Sequence, residues 1–103
     1  MLNQLVLVGR LVDNPIVEEN ENGRKVSTIT LAVPRSFKNN EGEYDKDFIP
    51  VTIWDELSLQ INKHCKKEDL VGIKGRLQKL EGNSLQVVAE KVTFLSSRKE
   101  GEE

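Results

Sequence analysis

Residues 47–54 read DFIPVTIW, and the order of side chains in this stretch decides the fold. Along a strand, successive side chains point to opposite faces. Ile49, Val51 and Ile53 therefore share one face, and Phe48, Pro50, Thr52 and Trp54 share the other. The first face has the aliphatic bulk of a core. Two of the few large aromatics are then left together on the face toward water. At roughly 3.3 Å per residue they stand about 20 Å apart. Single exposed apolar residues are ordinary. Two flat rings on one strand make a platform on which nucleic-acid bases can stack.

Upstream, residues 2–12 predict a strand that is apolar on both faces, with Leu2, Val6 and Val8 on one and Leu5, Leu7 and Leu11 on the other. Such a strand is covered on both sides. A chain of 103 residues has room for one modest core, so Leu2, Val6 and Val8 are expected to meet another subunit. Asp13-Asn14-Pro15 starts a turn, and EENENGRK, residues 18–25, reads as a polar loop. Residues 26–37 form a second strand with Ile29, Leu31 and Val33 inward. Pro34 cannot donate to a ladder and must mark an edge or a bulge. Simple alternation groups Phe37 with the inward residues, so it turns outward only if the strand bulges near Pro34. Residues 39–42 form a loop before the third strand, 47–54.

Downstream, Asp55 is the expected N-cap of a helix of about ten residues. Leu57, Ile61 and Cys65 make one helical stripe. Acids open this helix and Lys63, Lys66 and Lys67 close it, an order that suits the helix dipole. Strands follow at 69–79 and 84–95, joined by the short turn Glu81-Gly82-Asn83. Val71, Ile73 and Leu77 face the core, while Lys74 and Arg76 point away. Gly72 and Gly75 mark close backbone approach or curvature. Three strands, a helix and two strands give an all-β protein with one helix. That is the layout of a five-stranded OB-fold barrel, with the helix between strands 3 and 4. The barrel occupies residues 1–95, and 96–103 is a short polar tail.

Composition narrows the function. Charged residues make up 31% and hydrophobic ones 37%, as in soluble globular domains. No apolar run reaches the roughly 20 residues of a membrane helix, and the N-terminus lacks signal-peptide features. A net charge of −2 argues against a strongly basic nucleic-acid binder. The local field is what attracts a polyanion, and Arg10, Lys25, Arg35, Lys38, Lys74, Arg76 and Lys79 all fall on the strands. Cys65 is the single cysteine, which points to a reducing, cytoplasmic setting. His64 and Cys65 adjoin, but a zinc site needs about four ligands. No nucleophile–base set, carboxylate pair or phosphate-binding glycine loop stands out. The expectation is a binding module with no catalytic residues, no cofactor and no metal.

MLNQLVLVGRLVDNP, STITLAVPRSF, GEYDKDFIPVTIW, LVGIKGRLQ and VVAEKVTFL, in order over residues 1–95, resemble the bacterial and phage single-stranded DNA-binding protein family. The resemblance implies sequence-independent binding and protection of single-stranded DNA in replication, recombination or repair, usually by a homotetramer. It places Phe37, Phe48 and Trp54 as the stacking aromatics. It places Arg10, Arg35, Lys38, Lys74 and Arg76 along the DNA backbone, with Lys79 beside them on the same strand. Strand 1 resembles the segment that pairs subunits.

Three features depart from the family. The hairpin LQKLEGNSLQ is short and lacks a fourth aromatic, which implies a smaller DNA footprint. The chain ends KEGEE, without the aromatic tip through which the family recruits replication and repair proteins. Pro34 and Pro50 stand where polar residues are more common. The short hairpin also resembles the dimeric primosomal replication protein N. The alternative expectation is accordingly an OB-fold adaptor that docks proteins during replication assembly.

Overall fold

The computed structural model describes residues 1–97. Its elements in chain order are β1 (Leu5–Leu11), β2 (Glu18–Glu19), β3 (Lys25–Lys38), β4 (Tyr44–Trp54), α1 (Asp55–His64), β5 (Leu70–Lys79) and β6 (Leu85–Ser96). The strands are hydrogen-bonded in the order β1-β5-β6-β4-β3-β2, and β1 also pairs with β3. That last pairing joins Arg10 to Ala32 and Leu11 to Leu31. It closes β1, β5, β6, β4 and β3 into a ring, the five-stranded OB-type barrel expected from the element order.

β2 is the exception to that expectation. Residues 18–25 contain a two-residue strand, with Glu18 opposite Val26 and Glu19 opposite Lys25. It lies outside the ring, on the flank of β3. The helix therefore follows the fourth strand rather than the third, at the same place in the sequence. No apolar pattern announces β2; a turn makes it. The Asn20 side-chain oxygen accepts from the backbone N–H groups of Asn22 and Arg24 at 3.0 and 2.8 Å. Gly23 supplies the positive φ, +80°, that the turn requires. Asn39 does the same between β3 and β4, accepting from Glu41 and Glu43 at 2.8 and 3.0 Å.

The inward residues are those that alternation selects. Leu11, Ile29, Leu31, Val51, Ile53, Val71, Ile73, Val87 and Ala89 fill the barrel, and Ile61 and Cys65 of the helix stripe close one end. Leu77 keeps the parity of Ile73 but lies beyond the core, 43% exposed. Gly75 is needed by packing: a Cβ there would run into the carbonyl oxygen of Val88 on the neighbouring strand. β5 and β6 shift register at this point, between Lys74 and Gly75.

The helix begins differently from expectation. Trp54, in extended conformation, is the N-cap residue and makes no side-chain cap. Asp55 is the first helical residue, with φ at 57°. Its carboxylate is engaged by Arg24, so it does not cap the helix N–H groups. The tail residues 98–103 lie outside the described residues, and β6 runs to Ser96.

Candidate nucleic-acid interface

β4 lies between β3 and β6, and its outward residues form the middle of a sheet surface. Phe48 faces Ala32, Pro50 faces Thr30, Thr52 faces Thr28 and Trp54 faces Val26. All the residues opposite the rings are small or β-branched, so the rings stand above their neighbours. Phe48 is 63% exposed, and Trp54 is half-buried. Both rings lie on one outer face of the barrel, as their parity requires.

Cross-strand rows show which cations share that surface. Arg10 opposes Ala32, which opposes Phe48, so Arg10 and Phe48 lie in one row. Arg76 opposes Val88, which lies beside Thr52. Arg76 is thus two strands from the β4 face, about 10 Å at the usual strand spacing. It is tied to Glu90 at 3.4 Å and to Gln78 at 3.2 Å. Lys74 lies elsewhere, between Val6 of β1 and Lys91 of β6, on the flank that carries the exposed valines. Lys79 opposes Leu85 at the end of the hairpin and has the opposite parity to Lys74 and Arg76.

Phe37 falls where β3 changes register. Pro34 pairs with Lys46 and Lys38 pairs with Tyr44, so the strand bulges between them. The missing N–H of Pro34 starts this irregularity, and Phe37 ends 65% exposed. The same hairpin end holds Lys38, whose Nζ lies 5.9 Å from the Tyr44 ring centre. Arg35 is also here, and Asp47 holds it with a two-pronged contact at 3.0–3.3 Å.

Two features were not evident from the sequence. The first is a groove of about 680 Å³ at the foot of Phe48, with Arg10, Lys46 and Lys67 around apolar walls from Val8, Ala32 and Pro34. Arg10 is anchored there by a hydrogen bond from its guanidinium to the Glu68 carbonyl at 3.0 Å. Lys67 follows the helix and is 57 residues from Arg10, so only the closed topology brings them together. The second is Arg24, whose guanidinium carbon is 4.3 Å from the centre of the Trp54 ring.

Carboxylates mask two of these cations. Hydrogen bonds from Arg35 and Arg24, reinforced by their charge, hold Asp47 and Asp55 below the ordinary carboxylate pKa. Both pairs are therefore fully ionised at neutral pH. Their small contribution to stability is complete above the ordinary carboxylate range and is lost as pH falls through the lowered values.

The thiol of Cys65 is not placed for nucleophilic chemistry. Burial, with Asp69 nearby, pushes the Cys65 thiol above its ordinary pKa, and the residue is buried. A buried thiol of raised pKa is inert. Cys65 should react with a thiol probe at neutral pH much more slowly in the folded protein than in denaturant. Equal rates would show that the helix end is open. Among the described residues, no group of three or more His, Cys, Asp or Glu side chains is placed to hold a metal ion. None of their helices is long and apolar enough to cross a membrane.

Barrel, end-capping helix and aromatic outer face together define an OB-fold module. The sequence profile of the Single-strand binding protein family matches residues 2–95, and the chain belongs to that family. Similar proteins include "Single-stranded DNA-binding protein 3" of Listeria innocua, 40% identical over 98% of this chain and 68% of that protein. "Single-stranded DNA-binding protein 1" of Clostridium acetobutylicum is 38% identical over 96% of this chain and 98% of its own length. The single-stranded DNA-binding protein of Bacillus cereus is 40% identical over the whole chain and 65% of its own length. Among solved structures, the wild-type single-stranded DNA-binding protein of Thermus aquaticus superposes with a TM-score of 0.75 at 24% identity. The match covers 94% of this chain and 52% of that one, and it supports the fold.

Proposed function

We propose that this chain binds single-stranded DNA without sequence preference and protects it during replication, recombination or repair, with no reaction of its own. The observation that carries this reading is the pair of rings, Phe48 and Trp54, raised on one outer face with Arg10 in the row of Phe48. Every base has a π-face, so stacking on a ring tolerates any sequence. Arg10, Lys46 and Lys67 line the groove next to Phe48, where a backbone leaving that ring would meet them. Phe37, Lys38 and Arg35 extend the surface along the β3–β4 hairpin, and Arg76 flanks it. Bases held against protein cannot pair, which is how such binding keeps strands apart. Membership of the Single-strand binding protein family and the names of the relatives support the same ligand.

Titration with oligo-dT tests the reading directly. Trp54 is the single tryptophan, so its emission reports one ring of the platform. The expected result is quenching at low salt, with an affinity that falls as salt rises because phosphate contacts release counterions. A folded protein whose emission and affinity do not respond to oligo-dT would sink the proposal.

The same reading includes self-association, as a tetramer, through the outer face of β1. Val6 is 72% exposed and Val8 45%. Leu95 lies over Gly72, which pairs with Val8, so it adds to the same apolar strip. An exposed strip of this kind marks an interaction site. Val6→Glu with Val8→Glu is expected to lower the mass measured by light scattering while leaving the barrel folded. An unchanged mass would place the subunit contact elsewhere. Lys74, between Val6 and Lys91, belongs to this flank and is expected to matter less for DNA than Arg10.

A further inference from the structure

Arg24 is not among the residues that the sequence assigned to DNA, and the structure gives it two partners at once. Its guanidinium lies against the Trp54 ring, 4.3 Å from the centre. Its Nε and one terminal nitrogen donate to the two carboxylate oxygens of Asp55 at 3.2 and 2.7 Å. Both residues are presented for this contact. Arg24 leaves the tight Asn20–Gly23 turn, where its own N–H is held by the Asn20 side chain. Asp55 carries a positive φ of 57°, and its carboxylate goes to Arg24 in place of the helix N–H groups. The cation is thus neutralised and laid on the ring that should receive a base.

A guanidinium and a base make the same kind of contact with an indole face, and one face holds one of them. A phosphate offers Arg24 the same forked acceptor that Asp55 offers. We propose that binding at Trp54 is an exchange: the base takes the ring face that Arg24 covers, and Arg24 moves from Asp55 to a phosphate of the same strand. Arg24 is then a further DNA-contacting residue. Asp55 is a positioning residue that holds it in reserve and raises the threshold for a nucleotide to dock. This rests on the stacking role of Trp54 proposed above.

The exchange gives the two members of one ion pair opposite effects. Arg24→Ala removes a phosphate contact, so oligo-dT should bind about three- to tenfold more weakly at low salt, with a salt slope shallower by roughly 0.7. Asp55→Asn releases Arg24 and should bind about two- to fivefold more tightly. Asparagine tolerates positive φ, so this variant keeps the helix start, and far-UV circular dichroism checks that it does. Loss of a positive or of a negative charge would shift affinity in the same directions at long range, so a second readout is needed. Acrylamide is neutral and quenches an exposed indole. In the free proteins both substitutions should increase its quenching of Trp54, and saturation with oligo-dT should bring wild type and Asp55→Asn to the same level.

An unchanged salt slope in Arg24→Ala, no tightening in Asp55→Asn, or no change in acrylamide quenching in either variant would each overturn the exchange. The acrylamide measurement on free protein needs no DNA, and the wild-type titration decides the stacking role separately. Failure of one is therefore distinguishable from failure of the other.

Discussion

Phe48→Ala combined with Trp54→Ala should remove most of the affinity for single-stranded DNA and leave the barrel intact. Each base–ring stack contributes about 1–3 kcal/mol. The two residues are six positions apart on β4, about 20 Å along a strand, so their losses should add. The expected loss is about 2–6 kcal/mol, or roughly 30-fold to more than 10⁴-fold in Kd. A labelled oligo-dT followed by anisotropy gives the number, since the double variant has no tryptophan. Folding should be little affected. Phe48 is mostly exposed, and the inward residues Ile49, Val51 and Ile53 are untouched. A double variant that binds within threefold of wild type would remove the rings from the site. One that loses subunit mass instead would make them interface residues, as in the adaptor reading.

The second large effect concerns the barrel. Leu31 is fully buried and occupies a junction: it faces Leu11 of β1 on one side and Ile49 of β4 on the other. Leu31→Ala deletes contacts with two neighbouring strands at the place where the ring closes. Buried leucine truncations cost about 2–5 kcal/mol, more where the walls cannot collapse. Here the walls are strands hydrogen-bonded on both sides, which leaves little room to relax. Domains of this size are stable by about 5–15 kcal/mol, so a large share is at stake. Denaturant unfolding at fixed protomer concentration, which holds self-association constant, should show a lower midpoint with an unchanged slope. A loss below about 1 kcal/mol would mean that the site repacks, contrary to the usual behaviour of such cores.

The parts of this molecule that follow from local alternation were legible in the sequence. The inward and outward faces of β4 could be read from DFIPVTIW alone. The bulge that exposes Phe37 was foreshadowed by Pro34, because a residue without an N–H weakens the ladder where it sits. The barrel followed from element order. What could not be read depended on contacts between distant segments. β2 has no apolar pattern and exists because Asn20 folds the chain back on itself. Asp55 has the composition of an N-cap, but a guanidinium 31 residues away competes for its carboxylate and wins. Lys46 and Lys67 belong to a groove that forms only once the ring is closed. Lys74 has the right strand and parity to be exposed, yet curvature carries it round to the β1 flank.

One pairing within the ring is parallel, Val51 with Val87 and Thr52 with Val88, between β4 and β6. β4 is followed directly by the helix, and its second partner, β6, is made only after the helix and β5. During synthesis the strand that carries Phe48 and Trp54 therefore has one edge unpaired until residues 85–96 have left the ribosome. An unpaired edge is a template for the wrong neighbour, and pairings that wait on distant sequence form slowly. The outer face that carries both rings thus gains its second neighbouring strand only after residues 85–96 have been translated. A nascent chain that stops short of β6 carries both rings but has no closed barrel beneath them.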